Sequence, residues 1–282
     1  MKTILVPIDF SKSSDNSLEV AIAMAEKNGA KIKVINIIEG IDDIDFSSSG
    51  TVSTGNDMNK IFVLKLMEKA KHQIKQKLAK FDVKGLRIED EVVVGSVFES
   101  ISNIIAEQDI DLIIMGMRSK EEKEAQKVAG SNTIKVVRKA NCPVLIIKNK
   151  QENFNIRKLL LATDFETISP EYIAKIKDLK DSFGFELHVL YVNTQISFIT
   201  TASFEALKNE FIKKYNLEDA FFHTINAYFE NEGIITFAEK INADLIALTT
   251  HGRKGINLFF FGSVSENVVN ESNIPILTFR VE

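Results

Sequence analysis

The feature that most constrains this chain is that it repeats itself. Lys2–Ser11 aligns with Arg157–Glu166 at an offset of 155, and the Asp-Phe pair is kept as Asp9-Phe10 and Asp164-Phe165. Near the ends of the two copies the match returns at an offset of 132, with Gly130-Ser131 against Gly262-Ser263 and Asn141-Cys142-Pro143 against Asn273-Ile274-Pro275. The first copy therefore holds 23 additional residues. Most of them fall in Glu39–Asn59, a Ser/Gly/Asp-rich stretch that reads as a mobile loop. A period this long means one folding unit built twice, so the architecture of one copy decides that of the whole chain.

Within each copy, short β-branched runs alternate with amphipathic segments, the pattern of a parallel sheet covered by crossover helices. The first copy predicts strands at 3–8, 32–38, 88–94, 110–115 and 143–148, with helices at 12–28, 57–81, 96–108 and 130–140. The second predicts strands at 157–162, 185–192, 218–225, 244–250 and 275–280, with helices at 169–182, 201–215, 228–242 and 262–271. The helix at 12–28 carries Leu18, Ala21, Ile22 and Ala25 on one stripe. The expected fold is α/β: two tandem, doubly wound, five-stranded parallel-sheet domains, 1–150 and 151–282, joined by the short polar linker 149–155. A covalent repeat with so short a linker predicts an intramolecular pseudo-dimer with the last strands, 143–148 and 275–280, at or near the interface. Two chains can associate further, and the sequence does not decide this.

Composition narrows the partners. A net charge of -4 without a basic run gives no footprint for nucleic acid. The longest apolar runs fall far short of the roughly 18–20 residues a membrane helix needs, and Pro7 and Asp9 interrupt the first apolar stretch before it reaches signal-peptide length. One cysteine, Cys142, agrees with a reducing compartment. The expectation is a cytoplasmic protein with no membrane span. The four histidines form no ligand pair of the HExxH type, so no dedicated metal site is expected.

In open parallel sheets ligands sit beyond the carboxyl ends of the strands, where helix N-termini offer free N–H groups and partial positive charge. Asp9 and Asp164 stand after strand one. A carboxylate there either accepts hydrogen bonds from a ribose or caps the following helix. After strand four of the second copy, Gly252 and Gly262 bracket nine residues and Ser263 opens a helix. Glycines let backbone wrap an anion, and Gly-Ser at a helix start presents N–H groups and a hydroxyl to a phosphate. The alternative is a Gly-rich connection with Ser263 as an N-cap. His251 has no Ser or Cys nucleophile paired with it by spacing, so no catalytic constellation is evident.

Through Thr250-His251-Gly252-Arg253-Lys254-Gly255 and Gly262-Ser263-Val264-Ser265-Glu266, the chain resembles a tandem universal stress protein, two family domains in one polypeptide. Asn141-Cys142-Pro143-Val144-Leu145 is similar to the family's entry into strand five. The resemblance covers nearly the whole chain and implies the adenine-nucleotide α-hydrolase-like layout. By it, Asp9 and Asp164 fall where the family contacts adenosine, and Ile37 and Val192 where backbone groups contact the adenine. Gly252, Gly262, Ser263 and Val264 match positions around a triphosphate. In the first copy, Gly116, Gly130 and Ser131 hold the corresponding places.

Departures separate the copies. Thr249 replaces the first motif glycine in the second copy, and its side chain is expected to crowd the ribose and α-phosphate. In the first copy Gly116 is kept, but Ser119 replaces the second glycine and the loop before Gly130 is one residue too long. The resemblance implies a stress-response regulator binding ATP or a related adenine nucleotide in at least one domain, with the second copy favoured. Mg²⁺ would enter only as companion of the triphosphate, and enzymatic activity would be at most slow ATP hydrolysis. The competing expectation is a nucleotide-independent interaction protein whose glycine loops keep only a structural role.

Overall fold

The computed structural model describes residues 1–39, 45–46, 52–53, 57–81, 83, 85–117, 131–166, 168–251 and 264–281. The first copy runs β1 (Thr3–Ile8), α1 (Lys12–Asn28), β2 (Lys31–Ile38), β3 (Asp45–Phe46), β4 (Val52–Ser53), α2 (Asp57–Leu78), β5 (Ile88–Val94), α3 (Val97–Glu107), β6 (Leu112–Gly116), α4 (Ser131–Lys139) and β7 (Val144–Ile147). The second copy runs β8 (Lys158–Ala162), α5 (Pro170–Phe183), β9 (Glu186–Asn193), α6 (Thr201–Tyr215), β10 (Phe221–Asn226), α7 (Glu230–Ile241), β11 (Leu245–His251), α8 (Val264–Glu271) and β12 (Ile276–Val281). Each expected strand and helix is present, with ends within three residues of expectation. The stretch 39–59, read from sequence as a loop, holds the antiparallel β3–β4 pairing as well.

By packing, the chain divides into Met1–Gly116 and Met117–Glu282. In the first unit the parallel strand order is β6-β1-β2-β5. In the second it is β10-β9-β8-β11-β12, with β7 added antiparallel to β12. The last strand of the first copy therefore groups with the second unit. Its register sets Ile146 opposite Ile276, Leu145 opposite Leu277 and Val144 opposite Thr278. Equivalent positions of the two copies meet around Leu145 and Leu277, the reciprocal pattern of an isologous contact. The last strands of the two copies are thus bonded directly to each other.

Ile4, Leu5 and Val6 on β1, and Leu159, Leu160 and Leu161 on β8, are fully buried. Helices cover both faces of a doubly wound parallel sheet, so its central strands carry continuous apolar runs. Side chains of Ser11, Ser169 and Thr200 cap α1, α5 and α6 by accepting from N–H groups three residues on. Gly29 (φ 65°) and Gly184 (φ 70°), again 155 apart, end α1 and α5 in the left-handed conformation. The carboxylates of Asp111 and Asp244 accept from the N–H groups that open β1 and β8, tying strand four to strand one in both copies. Because β8 and β11 are neighbours whose following strands lie on opposite sides, their carboxyl ends form a topological switch point, the usual place for a ligand.

Candidate functional site

Both strand-one turns are built the same way. Phe10 (φ 63°) and Phe165 (φ 68°) adopt the left-handed conformation directly after Asp9 and Asp164. Such backbone costs a β-carbon-bearing residue about 1–2 kcal/mol and is kept only where the surroundings hold it. Asp9 Oδ1 accepts from the N–H of Ser11 (2.9 Å) and from its hydroxyl. Asp164 Oδ1 accepts from the N–H of Glu166 (3.0 Å). The helix caps proper are Ser11 and Ser169, so the carboxylates close two-residue turns instead of capping helices. Burial opposes ionisation of Asp9, but hydrogen bonds from Ser11 and Ser14 outweigh it and hold the carboxyl below its ordinary value.

In the second copy, four residues singled out from sequence line one cavity at the switch point: Asp164, Val192, Thr249 and Val264. Val192 is 8% and Thr249 4% exposed. Asp164 comes from the turn after β8, Val192 from the end of β9, Thr249 from β11 and Val264 from the first residue of α8. Ser265 follows in that first turn, where the helix dipole favours negative charge. Gly252, Gly262 and Ser263 lie outside the described residues.

The same cavity is lined by residues that sequence reasoning missed: Tyr191, Ser197, Glu230 and Ile234. The Tyr191 hydroxyl donates to the carbonyl of Ser197 (2.8 Å). Burial, with the nearby Asp164 carboxylate adding to it, pushes that hydroxyl above its ordinary value. Its ring stacks on Phe165 at 6.0 Å, joining the strained turn to the cavity wall. The one signal that could have found Glu230 is its place at the start of the helix after strand three, whose carboxyl end also faces the switch-point side.

In the first copy, Ile37 is half-buried near the end of β2 and pairs with Val93. Its neighbour Asn36 donates to the carbonyl of Ile8 (2.8 Å), holding the ends of β2 and β1 together. A Cβ on Gly116 would lie 2.4 Å from the backbone carbon and oxygen of Ser13 and 2.7 Å from the nitrogen of Ser14. The start of α1 therefore presses directly on Gly116. Ser131 is the first residue of α4, in the second unit, and Gly130 and Ser119 lie outside the described residues.

Among the described residues no group of three or more His, Cys, Asp and Glu side chains gathers as a metal would need. None of the described helices is long and apolar enough to cross a membrane.

Comparison with known proteins gives concordant matches. A family model described as the universal stress protein family matches residues 1–148 and 227–280. Universal stress protein Slr1230 of Synechocystis is 27% identical over 297 aligned residues, which cover 99% of this chain and 100% of that protein. The universal stress protein E homolog of Haemophilus influenzae is 20% identical, with 99% of this chain and 97% of that protein covered. The crystal structure of a universal stress protein from Archaeoglobus fulgidus superposes with a TM-score of 0.74 at 21% identity, covering 99% of this chain and 98% of that one. That likeness fixes the fold, two doubly wound copies in one chain.

Proposed function

This chain belongs to the universal stress protein family, and from that premise we propose that its second copy binds ATP or a related adenine nucleotide. Binding is read out through conformation or a protein partner, making the protein a cytoplasmic stress-response regulator. Residues 1–150 and 151–282 are taken as its two family domains. The observation that carries the reading is the convergence of Asp164, Val192, Thr249 and Val264, spread over a hundred positions of sequence, on one cavity. In it, Asp164 accepts from the ribose hydroxyls, backbone at Val192 meets the adenine edge, and the first turn of α8 faces the phosphates. Mg²⁺ accompanies the triphosphate alone. Mass spectrometry of small molecules released from freshly purified, denatured protein is the direct test, with titration calorimetry against ATP, ADP and AMP as its quantitative form. An adenine nucleotide recovered in stoichiometric amount supports the reading; no release together with no binding heat sinks it.

One observation favours a second reading. The cavity measures about 70 Å³, well below the roughly 300 Å³ at which ordinary ligand sites begin, and Thr249 contributes a side chain where the family motif has glycine. A protein that works through its surfaces without nucleotide would tolerate so small a cavity. The same calorimetry separates the two.

A further inference from the structure

Glu230 opens α7 and lines the candidate cavity together with Asp164, Val192 and Ser197. Its Oε1 accepts from two hydroxyls, Thr194 Oγ1 and Ser197 Oγ, each at 3.2 Å, and those hydroxyls are 2.8 Å apart. The segment that supplies them is itself fixed. The Ser197 N–H donates to Thr194 Oγ1 (3.2 Å), the Ile199 N–H donates to Asn193 Oδ1 (3.0 Å), and Tyr191 donates to the Ser197 carbonyl (2.8 Å). One oxygen of the Glu230 carboxylate is thus pinned by a pre-organised turn at the cavity wall.

The position of Glu230 says which part of a ligand it would meet. Gly233, one turn along α7, sits so close to the end of β9 that a Cβ there would lie 2.6 Å from the Val192 side chain. The first turn of α7 therefore stands beside Val192. The phosphate end belongs to the first turn of α8, where the local charge is positive; a carboxylate would repel phosphate and is compatible only with the neutral, base end. An ionised carboxylate accepts hydrogen bonds and cannot donate. Opposite it, an exocyclic amino group gains a charge-assisted bond, whereas a ring carbonyl would set lone pairs against lone pairs.

We infer that Glu230 selects the base, accepting a hydrogen bond from the 6-amino group of adenine and rejecting 6-oxopurines. The inference rests on the nucleotide-binding reading above and adds a specificity residue to it. Glu230 also anchors residues 194–197, and a purely structural role of that kind would not depend on the substituent at purine position 6.

Adenosine and inosine, which differ at that position, are the probes, with calorimetry on the full chain as the readout. A bond to a charged acceptor predicts a preference for adenosine of about tenfold to a hundredfold. Glu230→Gln, whose amide can present either a donor or an acceptor, is expected to bring the ratio to within about threefold. Thr194→Val removes one donor to Glu230 but keeps the carboxylate, so the preference survives even if overall affinity falls. Equal binding of the two nucleosides by the parent protein overturns the base-selecting role and leaves nucleotide binding standing, as does a preference that persists in Glu230→Gln. Failure of both nucleosides and of ATP to bind removes the nucleotide-binding reading itself, and this inference with it.

Discussion

The same corner of the fold is built in two ways. After strand four the first copy has Gly116, with the Ser13–Ser14 backbone filling the space where a side chain would stand. The second copy has Thr249, whose side chain is buried and lines the candidate cavity. The helix that follows strand one differs too. α1 begins three residues after Asp9, whereas α5 begins six residues after Asp164. The later helix start in the second copy accompanies a side chain at the position where the first copy keeps glycine. Close backbone requires glycine at Gly116, whereas the second copy carries a buried threonine side chain at the corresponding place.

Gly116→Thr should break this comparison most sharply. The new Cβ meets backbone, which cannot rotate away, so α1 must shift as a body, and overpacking of this kind costs about 3 kcal/mol. Urea titration of the variant against the parent reads the loss directly. A cost below about 1 kcal/mol would mean that α1 slides freely and that the two corners are interchangeable.

The strand-one turns give the next contrast. Phe165 is 7% exposed among Tyr191, Phe204, Phe211 and Phe222, with ring centroids 5.2–6.3 Å away. Phe10 is half-buried, with the Lys77 ammonium 6.0 Å from its ring. Glycine relieves the left-handed strain in either place, so packing decides the difference. Phe165→Gly should lose about 2 kcal/mol after strain relief, and Phe10→Gly should stay within about 1 kcal/mol of the parent. Thermal melts of both variants check this, and equal costs would show that the turn itself, not the aromatic cluster, dominates.

Thr249→Gly tests access. Removing the side chain should cost about 1 kcal/mol of stability, since glycine weakens a strand interior, yet raise nucleotide affinity about tenfold if crowding at the ribose is real. Calorimetry with ATP on both proteins measures the ratio. Unchanged or weaker binding would show that Thr249 is not what limits the site.

Most of the fold was legible because local and global signals agree. Ser11, Ser169 and Thr200 mark helix starts, Gly29 and Gly184 mark helix ends, and the repeat offset carries each reading from one copy to the other. The convergence of Asp164, Val192, Thr249 and Val264 was legible through the family motif. Tyr191, Ser197 and Glu230 were not, because the bond from Ser197 to Glu230 spans 33 residues and joins a loop to a helix start through a hydroxyl that no periodicity reports. The packing division after Gly116 was equally hidden. It depends on β7 bonding to β12, a pairing between copies that no local pattern within β7 specifies.

The smallest expected effect comes from the strand pairs at the far side of strand one. In the first copy, Lys31 and Lys33 on β2 meet Glu89 and Glu91 on β5 at 2.6 and 2.7 Å. In the second copy, register places Glu186 and His188 where those lysines stand, and Phe221 and His223 where the glutamates stand. The Lys33–Glu91 ion pair thus becomes His188 Nδ1 against His223 Nε2 at 3.0 Å, with the rings stacked 5.2 Å apart. Burial pushes both imidazoles below their ordinary value, and for His223 the neighbouring His188 adds to this. Glu186, 3.5 Å from His188 Nε2 and so long for a hydrogen bond, opposes the shift, while Lys158 on β8 reinforces it. With the folded-state pKa depressed, the unfolded chain binds protons first as pH falls. The pair's contribution is therefore complete above the unfolded value of about 6.5 and is lost as pH falls through the lower folded value. In the first copy, by contrast, the hydrogen bond from Lys31 holds the Glu89 carboxyl below its ordinary range. Melting temperature should thus drop between pH 7 and pH 5.5 in the parent and drop less in His223→Gln, whose amide can still bond to His188 without taking up a proton. Parallel pH profiles for the two proteins would show that the histidine pair is not the element that makes the second copy the more acid-sensitive of the two.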